Sequence, residues 1–380
     1  MPLTAQQWLT KIHALTPLLL PQKKRKVRIM NVCGGHERAI SMAGLRGALP
    51  ANIELIPGPG CPVCICPEED IYAAIQLSLQ QDITLVAFGD MLRVPVNVAK
   101  GEIRSLEQAK AAGADIRPIA SPMEAVSLAQ RNVDRAVVFF AAGFETTTAP
   151  VAAMLAAGAP DNLFVLLSGR LTWPAVAMLL DAETPGFDAL VAPGHVATVM
   201  GAREWQFVPE QHQLPAAVAG FSPESLLAAF YSCLRQLSEG QAFLDNCYPE
   251  VVNHDGNHAA QHILQQVMSV TDANWRGVGN IPTSGFQLTD EFARHDARTH
   301  FAIDTVQARK RAGEMPPGCD CARVVLGKRY PNECRLYGRA CTPRTPIGPC
   351  MVSDEGACRI WWSSGVREPV VGMTTHASVD

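Results

Sequence analysis

Short apolar runs alternate with amphipathic segments along the first 215 residues of the chain. The apolar runs have the length of buried β-strands, and they lie at residues 27–32, 53–56, 83–88, 136–141, 163–168 and 189–192. The amphipathic segments predict helices at residues 4–20, 71–80, 105–112, 123–130 and 173–180. Apolar strands that alternate with helices indicate βαβ units, so we expect parallel sheets.

The pattern changes near residue 216. Helical periodicity continues through residues 216–237 and 259–268, and the rest of the chain is rich in Cys, Pro and Gly with little regular pattern. We therefore predict an α/β protein with two similar parallel-sheet domains and a Cys-rich, mainly helical or irregular C-terminal domain. The predicted division is an N-terminal helix and linker at residues 1–28, α/β domains at 29–118 and 119–215, and the C-terminal domain at 216–380.

Several predicted strands run directly into loops in which glycine or proline stands beside a polar residue. Asp90, Glu145 and His195 each lie within four residues of a predicted strand end. Open α/β sheets bind ligands at the carboxyl ends of their strands, so these loops are candidate walls of a site. A helix cap or a surface loop explains each residue equally well on local grounds. The sequence contains neither a GxxxxGK[ST] loop nor a GxGxxG fingerprint, so no motif predicts a nucleotide site.

The composition indicates a folded globular protein. Hydrophobic residues make up 48% of the 380 residues and charged residues 18%, and the formal net charge is −4. The one basic run, at residues 23–26, is typical of a solvated linker, so we expect no nucleic-acid partner. The apolar segment at residues 15–20 precedes these cations, unlike a signal peptide, and no apolar run reaches the ~18 residues of a membrane span. We therefore expect a cytoplasmic protein without a membrane partner.

Twelve cysteines in such a protein point to metal or redox chemistry. Structural zinc sites usually contain tight C-x2–4-C knuckles, whereas the C-terminal cysteines are spaced widely and irregularly. Long spacings favour an iron–sulfur cluster, whose size accommodates thiolates from separate loops, although the spacing leaves zinc open and does not select four ligands from six. The pattern C-x14-C-x6-C-x16-C is formed by Cys319, Cys334, Cys341 and Cys358, with Cys321 and Cys350 interleaved.

Cys61 and Cys64 form a C-x-x-C pair directly after the rigid segment PGPG at residues 57–60. A pair in such a turn, shortly before a predicted helix, is suited to cycling between dithiol and disulfide. Half of a zinc site, or two buried structural thiols, would give the same pattern.

Cys33 and His36 lie at the end of the first predicted strand, with Gly34 and Gly35 between them. The glycines allow the backbone to approach a ligand closely. A thiolate with a nearby imidazole can hold iron or act as an activated nucleophile, and the two side chains can also be incidental neighbours. The spacing does not separate these alternatives.

An ordered set of segments resembles the HypD family of hydrogenase maturation factors over nearly the whole chain. The last and longest segment resembles the family most closely. The segments are CGGHE from Cys33, PGPGCPVC from Pro57, FGDMLRVP from Phe88, GFETT from Gly143, APGHV from Ala192, WRGVGNIPTSGF from Trp275 and PNECRLYGRACTPRTPIGPCMVSDEGAC from Pro331.

The resemblance implies a scaffold that assembles the Fe(CN)2CO part of the [NiFe]-hydrogenase active site. In the family this work is shared with a small partner, HypC, and with HypE, which supplies cyanide. The implied fold is two α/β domains with a third, cluster-bearing domain. The implied cofactor is a [4Fe–4S] cluster, and the cargo is iron that carries cyanide and carbon monoxide.

The resemblance also implies roles for individual residues. Cys33 would hold the iron, with His36 beside it as a further possible ligand. Cys61 and Cys64 would be the redox pair, and Asp90 matches an acidic position of a family motif. Glu355 matches another acidic position. The implied cluster ligands are Cys319, Cys334, Cys341 and Cys358.

Two other functions remain open at this point. A free-standing thiol–disulfide reductase with an iron–sulfur cluster would use Cys61 and Cys64 on protein disulfides, without partners. A hydrolase or transferase would use Cys33 as nucleophile and His36 as base, with zinc on the C-terminal cysteines and no iron.

Overall fold

The computed structural model describes residues 3–19, 25–182, 185–304 and 315–367. Half of the basic run, Lys23 and Lys24, therefore lies outside the described residues. Within them, no helix is both long enough and apolar enough to cross a membrane.

The strands follow the predicted apolar runs closely and include several further segments. In chain order they are β1 (Val27–Asn31), β2 (Ile53–Pro57), β3 (Ile83–Phe88), β4 (Ile116–Ile119), β5 (Ala136–Gly143), β6 (Leu163–Gly169), β7 (Ala189–Pro193), β8 (Ala216–Ala219), β9 (Leu244–Asn246), β10 (Met268–Trp275) and β11 (Gly279–Leu288).

The α-helices alternate with the strands as far as β9 and become shorter near the C-terminus. They are α1 (Ala5–Leu19), α2 (Gly34–Met42), α3 (Leu45–Ala48), α4 (Pro62–Ile65), α5 (Glu68–Ser78), α6 (Leu106–Ala111), α7 (Pro122–Arg131), α8 (Glu145–Ala156), α9 (Thr172–Leu180), α10 (Gly194–Met200), α11 (Phe207–His212), α12 (Pro223–Glu239), α13 (His258–Val267), α14 (Ala297–His300), α15 (Cys321–Val325) and α16 (Ala357–Ser363). Short 3₁₀ helices lie at Gly89–Arg93, Ala202–Trp205, Asp290–His295, Pro331–Glu333 and Pro349–Met351.

The first sheet is parallel and has the strand order β2-β1-β7-β8-β9. Its central strands are buried on both faces. Ile29 packs with Ile12 of α1 and Phe230 of α12, whereas Met30 packs on the opposite face with Trp205. Burial on two faces explains why β1 is a continuous apolar run without strict alternation.

The second sheet is also parallel, with the order β4-β3-β5-β6. Pro118 is tolerated in β4 because this strand lies at the edge, where an amide N–H is not needed for pairing on both sides. The prediction of an α/β protein with two similar parallel-sheet domains is confirmed.

The two sheets interleave along the chain. The first takes its strands from residues 27–57 and 189–246, and the second takes its strands from residues 83–169. The predicted boundary at residue 118 falls inside β4. The predicted ranges were contiguous because sequence periodicity identifies strands but carries no information on which strands pair.

The C-terminal region begins differently from the prediction, because residues 216–219 of the expected helix at 216–237 form β8 and the helix is α12, which starts at Pro223. The helix expected at residues 259–268 ends at Val267, and Met268 starts the antiparallel hairpin β10–β11. The segment WRGVGN forms the end of β10, the turn and the start of β11. Beyond the hairpin, the Cys-rich region consists of short helices and irregular backbone, as predicted.

Candidate metal and redox site

Both sheets have a topological switch point. In the first sheet, β2 pairs on one side of β1 and β7 pairs on the other side. The loops after β1 and β7 therefore border a crevice. The loops after β3 and β5 border an equivalent crevice in the second sheet. Ligands of open α/β sheets bind at such places. The first crevice therefore has Cys33 and His195 at its edge, and the second crevice has Asp90 and Glu145.

Cys33 is half-buried and directly precedes α2 in an extended conformation, with φ −156° and ψ 127°. Burial raises the pKa of its thiol to about 12. The backbone N–H of His36 partly offsets this rise, and the nearby Glu355 carboxylate reinforces it. A metal ion that binds this sulfur must therefore displace a firmly held proton.

The PGPG segment packs directly against Cys33. The N–H of Gly34 donates to the carbonyl oxygen of Gly60 at 3.0 Å. A Cβ atom at Gly60 would lie 2.3 Å from the backbone nitrogen of Cys33, so only glycine allows this approach. The contact places the C-x-x-C pair beside the strand end that carries Cys33.

Cys61 and Cys64 are joined as a disulfide, and both are buried. Pro62 starts the short helix α4 between them, and the N–H of Cys64 lies 3.2 Å from the Cys61 sulfur. The disulfide, Cys33, Cys350 and Glu355 line one small cavity at the first crevice. Cysteine sulfurs from three separate parts of the sequence therefore meet here.

His36 is completely buried, and its Nε2 lies 3.0 Å from the carbonyl oxygen of Ala219. Because a carbonyl oxygen only accepts, Nε2 carries the proton. Nδ1 has no hydrogen-bond partner among the described residues, so it is the one ring nitrogen left for a ligand. Burial lowers the pKa of His36 to about 4 and keeps the ring neutral. Phe221 lies between His36 and His195, with ring centroids 4.9 Å and 3.8 Å away.

Asp90 contacts the C-terminal region. Its carboxylate accepts from the Ser353 hydroxyl at 2.9 Å and from the Asp354 N–H at 3.4 Å. The next residue, Glu355, lies against α2, because a Cβ at Gly34 would be 2.4 Å from the Glu355 Cβ. Burial, and then the charge of Asp90, raises the pKa of Glu355. One C-terminal turn therefore connects the second crevice to the first.

Glu37 is a buried acid whose role the sequence analysis missed. Its carboxylate accepts from Arg46 at 2.7 Å, from the Trp361 indole at 2.7 Å and from Asn31 at 3.0 Å. These bonds tie α2, and therefore Cys33, to α16 of the C-terminal region. The acidic residue of CGGHE was a visible signal, but its partner Trp361 lies 324 residues away and was not predictable from spacing.

Glu145 is the first residue of α8, the helix that follows β5 as α2 follows β1. Its environment differs from that of Glu37 in α2. Its two carboxylate oxygens accept from the N–H and the hydroxyl of Thr172, at 2.6 Å and 2.8 Å. It therefore caps the start of α9, and it lies near Glu204. Burial raises the pKa of Glu145 to about 7.

The C-terminal thiols converge. The sulfurs of Cys321, Cys350 and Cys358 are buried and lie within 4.8 Å of one another. Cys319 is adjacent, since a Cβ at Gly348 would lie 2.5 Å from the sulfurs of both Cys319 and Cys321. Convergent buried thiols fit a soft metal ion or an iron–sulfur cluster, which such a triad with a fourth thiol beside it could hold.

The structure distributes the four predicted cluster ligands unevenly. Cys358 belongs to the triad and Cys319 lies next to it. Cys334 and Cys341 lie outside the triad, and the Cys341 sulfur accepts from the N–H of Ile347 at 3.3 Å. Selection among the six thiols therefore stays a prediction.

Comparison with known proteins identifies the family of this chain. A family model described as HypD, hydrogenase formation hypA family, matches residues 4–365. A hydrogenase maturation factor HypD from Azotobacter vinelandii is 39% identical over 360 residues, which cover 92% of this chain and 93% of that protein. The HypD of Rhizobium leguminosarum bv. viciae is 38% identical over 371 residues, covering 95% and 94%.

A third relative, the HypD of Rhodobacter capsulatus, is 38% identical over 368 residues, which cover 96% of each chain. The matches extend over both sheets and the Cys-rich region, so they include every segment on which the sequence resemblance was based. The chain therefore belongs to the HypD family of hydrogenase maturation factors.

Proposed function

We propose that this protein is a scaffold that assembles the Fe(CN)2CO unit during [NiFe]-hydrogenase maturation. It would work in the cytoplasm with a HypC-type chaperone and a HypE-type cyanide donor. Membership of the HypD family supports the maturation role. Ten of the twelve cysteines are free thiols, which suits a reducing compartment.

The observation that carries the proposal is the cavity at the first crevice. It joins Cys33, the Cys61–Cys64 disulfide and two C-terminal residues, Cys350 and Glu355. Cys33 is the proposed iron ligand, because its thiol stands at the switch point where α/β sheets bind ligands. A redox pair in contact with the same cavity can exchange electrons with whatever is bound there.

The proposed cyanide transfer can be written as a reaction in which atoms and electrons balance, with Cys61 and Cys64 as the reductant. Cyanide bound to sulfur as a thiocyanate, R–S–C≡N, leaves as the anion when its S–C bond breaks. The remaining sulfur then needs two electrons to become a thiol. The reduced pair supplies them: R–SCN and two Cys–SH groups give R–SH, cyanide, one proton and the Cys61–Cys64 disulfide. The cyanide then binds the iron.

The disulfide must be reduced before a second transfer. A [4Fe–4S] cluster bound by the C-terminal thiols would deliver the electrons one at a time. The proposed ligands are Cys319, Cys334, Cys341 and Cys358. Cys350 belongs to the triad and also lines the cavity, which supports a short path between them.

Two further residues support the site in this proposal. His36 would keep its neutral ring and offer Nδ1 as an additional iron ligand. Asp90 would hold the turn at residues 353–355 and so place Glu355 beside Cys33.

Infrared spectroscopy of the anaerobically purified complex with a HypC-type partner tests the iron assignment. We expect cyanide and carbonyl bands in the wild type and in Cys247→Ala, and no cyanide bands in Cys33→Ala. Cys247 is a matched control because it is also a half-buried free thiol whose pKa burial raises to about 12. Unchanged bands in Cys33→Ala would remove Cys33 from the iron site.

Metal analysis tests the cluster assignment separately. We expect about four irons and four acid-labile sulfides from the cluster, and the same content in Cys33→Ala. A protein that contains zinc and no acid-labile sulfide would contradict the proposal.

The alternative is a free-standing iron–sulfur thiol–disulfide reductase. Both sulfurs of the pair are buried, with Cys61 5% and Cys64 2% exposed, so a protein disulfide has little access to them. The same limit applies to a thiocyanate, so burial does not separate the two functions, but the alternative leaves Cys33, which lines the same cavity, without a role. It would require turnover of a protein disulfide without any partner.

A further inference from the structure

A fully buried arginine, Arg276, lies in the turn of the hairpin β10–β11. Its Nη2 donates to the Glu68 carboxylate and to the carbonyl oxygen of Pro95, the latter at 2.8 Å. Its Nε and Nη1 have no hydrogen-bond partner among the described residues. Burying donors without an acceptor is unfavourable, so these two groups point to an acceptor that the polypeptide does not supply.

The turn lies between the C-x-x-C segment and the C-terminal thiols. On one side, the backbone N–H of Arg276 donates to the carbonyl oxygen of Ile65 at 2.9 Å. On the other side, Gly277 packs on α15, because a Cβ there would lie 2.7 Å from the Cβ of Ala322. Ala322 directly follows Cys321, a member of the thiol triad.

The charge of Arg276 acts on thiols on both sides of the turn. On one side of the turn, the Arg276 guanidinium lies within electrostatic range of Cys319. Burial dominates the raised pKa of Cys66, and the same charge opposes that rise. The guanidinium is therefore within electrostatic reach of Cys319 and Cys66.

We propose that Arg276 is a positioning residue for electron transfer, whose unused N–H groups donate hydrogen bonds to sulfur atoms of the cluster and raise its reduction potential. The inference rests on the proposed function, because it requires a [4Fe–4S] cluster on the C-terminal thiols. Hydrogen bonds to the sulfurs and the local net charge are established determinants of cluster potential. The Glu68 carboxylate balances the charge of Arg276, so the expected effect on the potential comes from the two donated N–H groups.

Glu68 has a defined part in this arrangement. It is also buried, and its other contact is the N–H of Asn97 at 3.1 Å. The ion pair holds the guanidinium at one edge and leaves Nε and Nη1 free. Removal of Arg276 alone would leave Glu68 as an uncompensated buried charge, so the test needs a variant that removes both.

The test compares the midpoint potential of the cluster in the wild type, Arg276→Lys and the double variant Glu68→Gln/Arg276→Gln. The potential is measured by a redox titration of the purified protein monitored by electron paramagnetic resonance. Lysine keeps the charge but loses the planar arrangement of donors. We expect a lower midpoint potential in both variants. The expected decrease is about 59 mV, which corresponds to a tenfold change in the equilibrium constant of a one-electron reduction.

Arg170→Lys is the matched control. Arg170 is also buried and also contacts the hairpin, through the carbonyl oxygen of Asn274 at 2.9 Å. Its other partners are the carbonyl oxygen of Gly169 and the Asp70 carboxylate. We expect the cluster potential of this variant to equal that of the wild type.

An unchanged potential in both Arg276 variants would overturn the inference. Loss of iron and sulfide from the double variant would also overturn it, because Arg276 would then serve to hold the cluster instead of tuning it. Absence of iron and sulfide from the wild type would instead refute the proposed function, so the two failures are distinguishable.

Discussion

The first and second crevices arise from the same strand order, and each is followed by a helix whose first turn carries a buried glutamate. Glu37 in α2 is paired with Arg46 and bonded to Trp361. Glu145 in α8 has neutral Thr172 as its partner, and burial raises its pKa to about 7. The comparison shows that topology sets where each glutamate lies, while the covering segments determine which partners its carboxylate has.

The crevices also differ in what covers them. The first is covered by the PGPG segment and by Glu355, so Cys33 faces a cavity that contains a disulfide. At the second, Asp90 bonds to the turn at Ser353. The first crevice is therefore built for thiol chemistry, and the second anchors the segment that completes the first.

The largest expected difference in stability between the two crevices is that between Gly60→Ala at the first and Gly89→Ala at the second. The new Cβ would lie 2.3 Å from the Cys33 nitrogen, and backbone must move to relieve the clash. We expect a loss of about 3 kcal/mol in the free energy of unfolding, measured by urea titration. Gly89→Ala, at the second crevice, meets no atom within 4 Å and should change stability by less than about 0.5 kcal/mol. Equal losses would mean that the PGPG contact is not tight.

Glu37→Gln tests the charged connection between α2 and α16. Hydrogen bonds to charged groups are worth about 1.5–3 kcal/mol, and Arg46 would lose its carboxylate partner. We expect a loss of about 2 kcal/mol in urea titrations at pH 6, together with faster alkylation of Cys33. Glu145→Gln should cost less at the same pH, because Glu145 is then largely protonated. The opposite order of losses would contradict the stronger bonding of Glu37 to Arg46 and Trp361.

The pH dependence of stability should distinguish Glu145. Its folded pKa of about 7 lies above the usual 4.5, so the folded protein binds more protons between these values. The stability that binding of this proton contributes is fully present below pH 4.5 and is lost as the pH rises through 7. Between pH 5 and 8, the wild type should lose on the order of 2 kcal/mol more than Glu145→Gln. Parallel pH profiles would show that Glu145 titrates normally.

Asp90→Asn should have the smallest effect. The carboxylate makes two hydrogen bonds to the turn at residues 353–354, one of them long at 3.4 Å. We expect a loss of about 1 kcal/mol and faster hydrogen exchange in this turn. Asp354→Asn is a suitable control, because its ion pairs with Arg38 and Arg359 are long and its carboxylate is exposed, so we expect a loss of less than about 0.5 kcal/mol. Unchanged hydrogen exchange in Asp90→Asn would show that Asp90 does not hold the turn that reaches the first crevice.

Local patterns predicted most of the secondary structure. The strand at residues 83–88 matches β3 at both ends, and the other predicted strands agree within two residues. The missed strands have short or atypical sequences: β4 contains Pro118, and β8 is the run AAVA, which periodicity cannot separate from a helix. The hairpin β10–β11 was missed because its exposed and buried positions do not alternate regularly.

The sequence by itself determined the α/β class, the family and the residues capable of chemistry, because strand length, motif order and thiol spacing are local properties of the chain. The tertiary structure alone decided which strands share a sheet and which thiols meet. It placed Cys350 and Glu355 beside Cys33, gave Glu37 the distant partner Trp361, and brought Arg276 between the two sets of thiols. These contacts join residues that are far apart along the chain, and packing, not local propensity, selects them.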